Sequence, residues 1–160
     1  MNLLSFVIIP LIAFLLAIFD VSFFSFYELF GATVISSFCT LMVLSVLGRR
    51  KEAVLFAACS ILFLSAFSSL SLFILMLVFL GIPLLIFYAR DKIFFETSFS
   101  PAVIVFLSST FIFRLLLSSM NFEADSAEYL SIIVFPIINT LFCIIVFVLL
   151  KKLDPSRKKF

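Results

Sequence analysis

The apolar positions of this chain fall in long runs, and the charged positions fall in short clusters between them. The longest run spans 53–89, thirty-seven residues without a charged side chain. As one helix it would be roughly 55 Å long, nearly twice the ~30 Å hydrocarbon core of a bilayer, so it must double back. Ser65, Ser68, Ser69 and Ser71 crowd its middle, and hydroxyl side chains that bond nearby backbone favour a turn there. The run therefore reads as two membrane helices, 53–69 and 70–89, joined by a tight hairpin.

The other runs give four more helices. The first, 3–19, is long enough to span. With no basic segment before it and no small-x-small cleavage pattern ahead of Asp20, it reads as a retained helix rather than a signal peptide, bent at Pro10. A short connection from Asp20 to Glu28 carries two acids and no base. The second helix, 30–48, holds Ser36, Ser37, Cys39 and Thr40, small or hydroxyl residues suited to close helix contacts. It ends at Gly48, and Arg49, Arg50 and Lys51 follow. Gly81 and Pro83 predict a kink in the fourth helix. After a loop with Arg90, Asp91, Lys92 and Glu96, Ser100 as N-cap and Pro101 as first helical residue open the fifth helix, 101–119. Glu123, Asp125 and Glu128 lead into the sixth, 130–150, and 151–160 is a basic tail.

Six helices place the loops in two sets, and lysine and arginine separate between them. The N-terminus, the loops after helices two and four, and the tail hold ten of the eleven bases. The opposite set holds none, but five of the nine acids. Basic loops stay cytoplasmic, so both termini are expected there. Merging the hairpin into one helix would put the 49–51 cluster and the tail on opposite sides, a poorer account.

Composition agrees. Hydrophobic residues make up 65% of 160, charged residues 12%, and the mean hydropathy is +1.39, which implies lipid as the solvent of a single all-α membrane domain. A net charge of +2 implies no nucleic-acid partner. Cys39, Cys59 and Cys143 lie in apolar runs without CxxC spacing and read as small core residues. With no histidine besides, neither a metal site nor a cofactor is expected. Phenylalanine is abundant, at 25 residues, and tryptophan absent; interface anchoring falls to Tyr27, Tyr88 and Tyr129.

Few residues offer chemistry. Arg114 is the only charge deep in a predicted helix, and two readings stand: it snorkels to the interface to meet Asp20, Glu123 or Asp125, or it contacts a ligand or partner. Pro136 frees the carbonyl of Ile132, and Asn139, one turn on, can bond across to another helix. Interhelical adhesion and a transport site at a broken helix are both open readings. There is no Gly-rich phosphate loop, no intramembrane carboxylate pair and no serine beside a plausible base, so catalysis finds no support.

Three segments carry a family likeness: Phe23-Phe24-Ser25-Phe26 leading to Gly31, Gly48-Arg49-Arg50-Lys51-Glu52-Ala53, and Pro136-Ile137-Ile138-Asn139-Thr140-Leu141 with the apolar run into Lys151-Lys152. With the length and helix count, they make the chain resemble the bacterial rod shape-determining membrane proteins of the MreD family. It departs from the pattern at 64–73, where the family often has an aspartate and then a glycine, and at Thr33-Val34, where a proline is common. The resemblance implies a non-enzymatic scaffold of the cell-elongation complex in the bacterial cytoplasmic membrane, organising side-wall peptidoglycan synthesis and so maintaining rod shape. Its implied partners are the lipid bilayer, an MreC-like bitopic coiled-coil protein and other elongation-complex membrane proteins. The family's fold is similar to the substrate-binding subunits of energy-coupling-factor vitamin transporters. That likeness implies the alternative, a small-molecule binding or transport subunit, which should converge polar groups in its core.

Overall fold

The computed structural model describes residues 3–23, 32–68, 71–92, 99–119 and 126–153. Tyr27, Glu28, Gly31, Ser69, Glu96, Glu123, Asp125 and the tail bases Arg157, Lys158 and Lys159, to which the sequence assigns roles, lie outside them. The described residues form helices and no β-strand: α1 (Leu3–Ile18), α2 (Ser36–Val46), α3 (Arg50–Phe67), α4 (Leu72–Met76), α5 (Ile82–Lys92), α6 (Phe99–Ser118) and α7 (Ser126–Leu153). A π-helical turn, Phe19–Phe23, prolongs α1, and another, Leu77–Gly81, joins α4 to α5 without a break. Counting 72–92 as one rod gives six rods among the described residues.

The long apolar run breaks where its serines stand. The helix stops at Phe67, Ser68 is extended (φ −111°, ψ 158°), and a new helix starts after Ser71 (φ −59°, ψ 133°). An ion pair between Arg50, at the start of α3, and Asp91, near the end of α5, shows that the two rods run antiparallel. The second rod bends by widening a turn. Pro83 has no N–H to give the carbonyl of Phe79 and its ring would crowd that carbonyl; the π-turn just before it relieves both problems.

Directions alternate through the rest of the bundle. Phe106 of α6 packs edge-on against Phe147 of α7 (centroids 5.9 Å), Thr110 meets Thr140 at 3.3 Å, and Arg114 reaches back to Ser131, so α6 and α7 are antiparallel. Asn139 adjoins Ile35 and Cys143 adjoins Cys39, so α7 runs with α2. Phe14 of α1 lies against Phe63 of α3 with centroids 5.2 Å apart. Arg49, Arg50, Lys51, Arg90, Lys151 and Lys152 are thereby gathered at one end of the bundle.

Three helices, Leu72–Asp91, Phe99–Ser118 and Tyr129–Lys152, are long and apolar enough to cross a membrane. The central element is a fourth. α2 touches α1, α3, α5, α6 and α7, and every residue of it except Thr40 is buried. At 11 residues it is about 16 Å long, roughly half the bilayer core.

Helix two therefore begins later than the hydropathy pattern implies, at Ser36 rather than position 30. The reason is local. Thr33, Val34 and Ile35 form a β-branched run, stiff at χ1 and suited to extended backbone, and Ala32 through Ile35 lie outside the helix.

The Arg50–Asp91 contact generates a test of the hairpin. In a cysteine-free background, the pair Arg50→Cys and Asp91→Cys should be joined by a short bifunctional thiol reagent, and the pair Lys51→Cys and Leu72→Cys should not, as read by intact and digested mass.

Candidate functional site

Ile35 occupies the N-cap position of α2, and its side chain has no oxygen to offer. The first N–H groups of a helix have no partner within it, and inside a membrane no water replaces one. Here the partners come from elsewhere in the bundle. Asp20, in the π-turn after α1, accepts from the Ser36 amide (2.7 Å) and the Ser36 hydroxyl (2.6 Å) with Oδ1, and from the Ser37 amide (3.0 Å) with Oδ2. Asn139 of α7 accepts from the Ile35 amide at 2.9 Å through Oδ1. Its Nδ2 donates to the carbonyls of Thr33 and Phe135, both at 3.0 Å. Three successive amides are thus satisfied by two side chains, and the Asn139 carboxamide pairs with 33–35 much as a neighbouring peptide group would.

A negative charge at a helix N-terminus is favoured by the helix dipole, so the Asp20 carboxylate suits its place at the start of α2. The Cys39 thiol lies 3.4 Å from Asn139 Oδ1, and the Cys143 thiol 3.9 Å from the Cys39 carbonyl. Both thiols are buried and unbridged.

The other end of α2 is closed by complementary means. The Gly48 amide bonds the Ser45 carbonyl and the Arg49 amide bonds the Leu44 carbonyl, both at 3.0 Å, with Gly48 at φ 75°. This is the paired 5→2 and 6→1 closure that favours glycine. Arg90 of α5 then places its guanidinium against Gly48, where a β-carbon would collide with it, and donates to the Val46 carbonyl at 3.3 Å. A cation therefore faces the negative end of the same helix whose positive end faces Asp20.

Of the residues singled out by sequence, Asp20 and Asn139 meet at the start of α2. Pro136 is buried in an unbroken α7, its carbonyl 3.5 Å from the Thr110 hydroxyl. Arg114 stands apart from Asp20. It bonds the Ser131 hydroxyl and sits 6.0 Å from the Phe135 ring centroid, while its Nε is buried without a partner. Of the three acids that could meet Arg114, Asp20 bonds Ser36 and Ser37 instead, and Glu123 and Asp125 lie outside the described residues. Arg90 and Gly48 were read only as a topology signal and a helix stop. The positive-φ glycine was the available clue to a close approach; nothing local named the guanidinium that makes it.

The arrangement supplies acceptors to a helix start and a cation to a helix end. Asp20, Asn139 and Arg90 are turned onto backbone, and the neighbouring rings, Phe38 with Phe113 (4.7 Å) and Phe113 with Phe135 (5.8 Å), join α2, α6 and α7 around them. The chain matches no family model, no curated protein and no solved structure.

Asn139→Leu removes partners from two buried backbone groups, each worth about 1–3 kcal/mol when orphaned. It should destabilise by about 2 kcal/mol or more, above the ~0.6 kcal/mol average of interhelical side-chain bonds in membranes. Asn139→Asp should lose at least as much, because its carboxylate would be buried with acceptor oxygens facing the Thr33 and Phe135 carbonyls, as read by SDS-unfolding titration in mixed micelles. In the same assay Gly48→Ala should be destabilising, about 1–2 kcal/mol from the left-handed backbone alone, and Gly81→Ala, with open space around it, should be near neutral.

Arg114→Lys should stay within about 1 kcal/mol of the parent, since one ammonium can serve both Ser131 and the Phe135 face and leaves no buried Nε unpartnered. Loss of activity in a fully folded Arg114→Lys protein would indicate a specific guanidinium contact.

Proposed function

We propose that this protein is a multi-pass scaffold of the bacterial cytoplasmic membrane that acts by lateral contact with other membrane proteins of the cell-elongation complex. In this reading six helices cross the bilayer, both termini are cytoplasmic, and the bitopic coiled-coil shape protein is the first partner. The likeness of the Gly48–Ala53 and Pro136–Leu141 segments to the MreD family gives the complex its identity. The observation that carries the mode of action is the use of the core's polar side chains: Asp20 and Asn139 both bond the backbone at the start of α2. Polar groups used in this way build a rigid bundle. A solute site needs them turned into a cavity.

The outer faces support the same reading. Ile133, Ile137 and Leu141 of α7 and Ile104 and Phe111 of α6 are exposed large apolar residues, a surface that lipid or a partner helix can cover. The bases at one end of the bundle support the cytoplasmic placement of that end.

Topology is tested by reporter fusions after Lys152 and after Ser68: the first should be cytoplasmic and the second external, and a cytoplasmic signal at Ser68 would sink the six-span arrangement. Depletion in a rod-shaped host should give rounded cells, and the coiled-coil partner should copurify in mild detergent. Ile133→Ala and Ile137→Ala, which stay apolar on exposed positions, should weaken that copurification without lowering the unfolding midpoint. Normal cell shape after complete depletion, with saturable uptake of a vitamin-like solute, would reject the scaffold in favour of transport.

A further inference from the structure

α5 packs against α2, and α6 against α7 and α2, which leaves a crevice of about 200 Å³ between α5 and α6. Its α5 wall is Ile82, Leu85, Ile86, Ala89 and Arg90, and its α6 wall Val105, Ser108, Ser109 and Ile112. Both sets follow the i, i+3, i+4, i+7 spacing of one helix face. The walls therefore run about 10–12 Å along the helices, close to the hydrocarbon depth of one leaflet, about half of ~30 Å. Leu85 is 64% exposed, so the crevice opens sideways to lipid rather than into the core.

Its two ends differ in charge. α5 and α6 are antiparallel, so Ile82 and Ile112 mark the deep end while Arg90 and Val105 mark the end near the basic loop. Arg90 lies against Gly48 there, and Arg50, beside it in the fold, pairs with Asp91. Arg90 lines this end itself, and the neighbouring segment 48–52 adds Arg49, Arg50 and Lys51, of which Arg49 pairs with Glu52 and Arg50 with Asp91. The crevice is thus a leaflet-long apolar slot headed by net positive charge.

We propose that this slot holds one acyl chain of an anionic glycerophospholipid, with the phosphate lying at the Arg90 end. Size selects a chain over a helix. Walls of about 10–12 Å offer a helix only about two turns of contact, a short seat for a membrane helix, and a narrow run of methylenes fills the same length. A cavity of about 150 Å³ is known to stay dry and accept benzene, so the slot suits a run of methylenes. Transfer of a tail from bulk lipid gains nothing from hydrophobicity, because lipid is already apolar. Selectivity must come from the fit of the chain and from the charge at the head, at roughly fivefold per base.

The proposal requires only that the chain spans a bilayer, not that it is a scaffold, so either can fail without the other. Purified full-length protein in mild detergent is titrated with dioleoylphosphatidylglycerol, dioleoylphosphatidylcholine and soluble glycerol 3-phosphate, with bound species counted by native mass spectrometry. One phosphatidylglycerol per chain should be retained about tenfold more tightly than phosphatidylcholine, and glycerol 3-phosphate should not bind. Ala89→Phe, which fills the slot, should abolish the preference. A phosphatidylglycerol with a diazirine in its tail should label Leu85 and Ile112 of the unaltered protein in preference to Ile133 and Ile137 on the α6–α7 face. This arm decides the matter even if Ala89→Phe does not fold. Equal retention of the two lipids, equal labelling of the two faces, or a copurifying helix cross-linked at Leu85 would each overturn the proposal.

Discussion

A helix buried in a medium without water has to find partners for the amides at its start and the carbonyls at its end, and in this bundle that requirement falls on α2. Its 11 residues stop short at both ends, and all but Thr40 are buried. The two ends call for opposite chemistry, acceptors at the first and donors at the second. Asp20 and Asn139 supply the one, Gly48 and Arg90 the other. These four residues come from α1's continuation, α7, the turn after α2, and α5. Satisfying one short helix therefore fixes the position of three of its neighbours.

The aromatic contacts extend that arrangement. Phe38, in the first turn of α2, touches Phe79 in the second π-turn and Phe113 on α6, and Phe113 reaches Phe135 on α7. Each such pair contributes about 0.5–1.5 kcal/mol beyond its area. Their geometry depends on α2 being held at the right depth. Arg114 joins the same chain from the side, over the Phe135 ring and on the Ser131 hydroxyl. Polar bonds set where the central helix begins and ends, and ring packing fills the space that this leaves.

Much of this was legible in the sequence where a length or a charge decides. The thirty-seven uncharged residues of 53–89 exceed a bilayer's thickness, and the break between Ser68 and Ser71 follows. Gly48 marked a helix end correctly because a left-handed residue there favours glycine. What was not legible is contact across distance. Asp20 lies 16 residues from Ser36, and Asn139 lies 104 from Ile35. No local pattern links them, and the N-cap itself is an isoleucine. Hydropathy also overran the start of α2, because Thr33-Val34-Ile35 is as apolar as the helix it precedes. The β-branched run was the only signal that the backbone was extended there.

The order in which the chain is made gives the Asn139 contact a consequence of its own. Helix α2 is made soon after Asp20, so the Ser36 and Ser37 amides have their acceptor almost at once. The Ile35 amide and the Thr33 carbonyl do not. Their partner is in the last described helix, 104 residues downstream. Until α7 arrives, two part-buried backbone groups at the start of α2 lack the partner it brings. Translation that halts before position 139 leaves an intermediate with that defect.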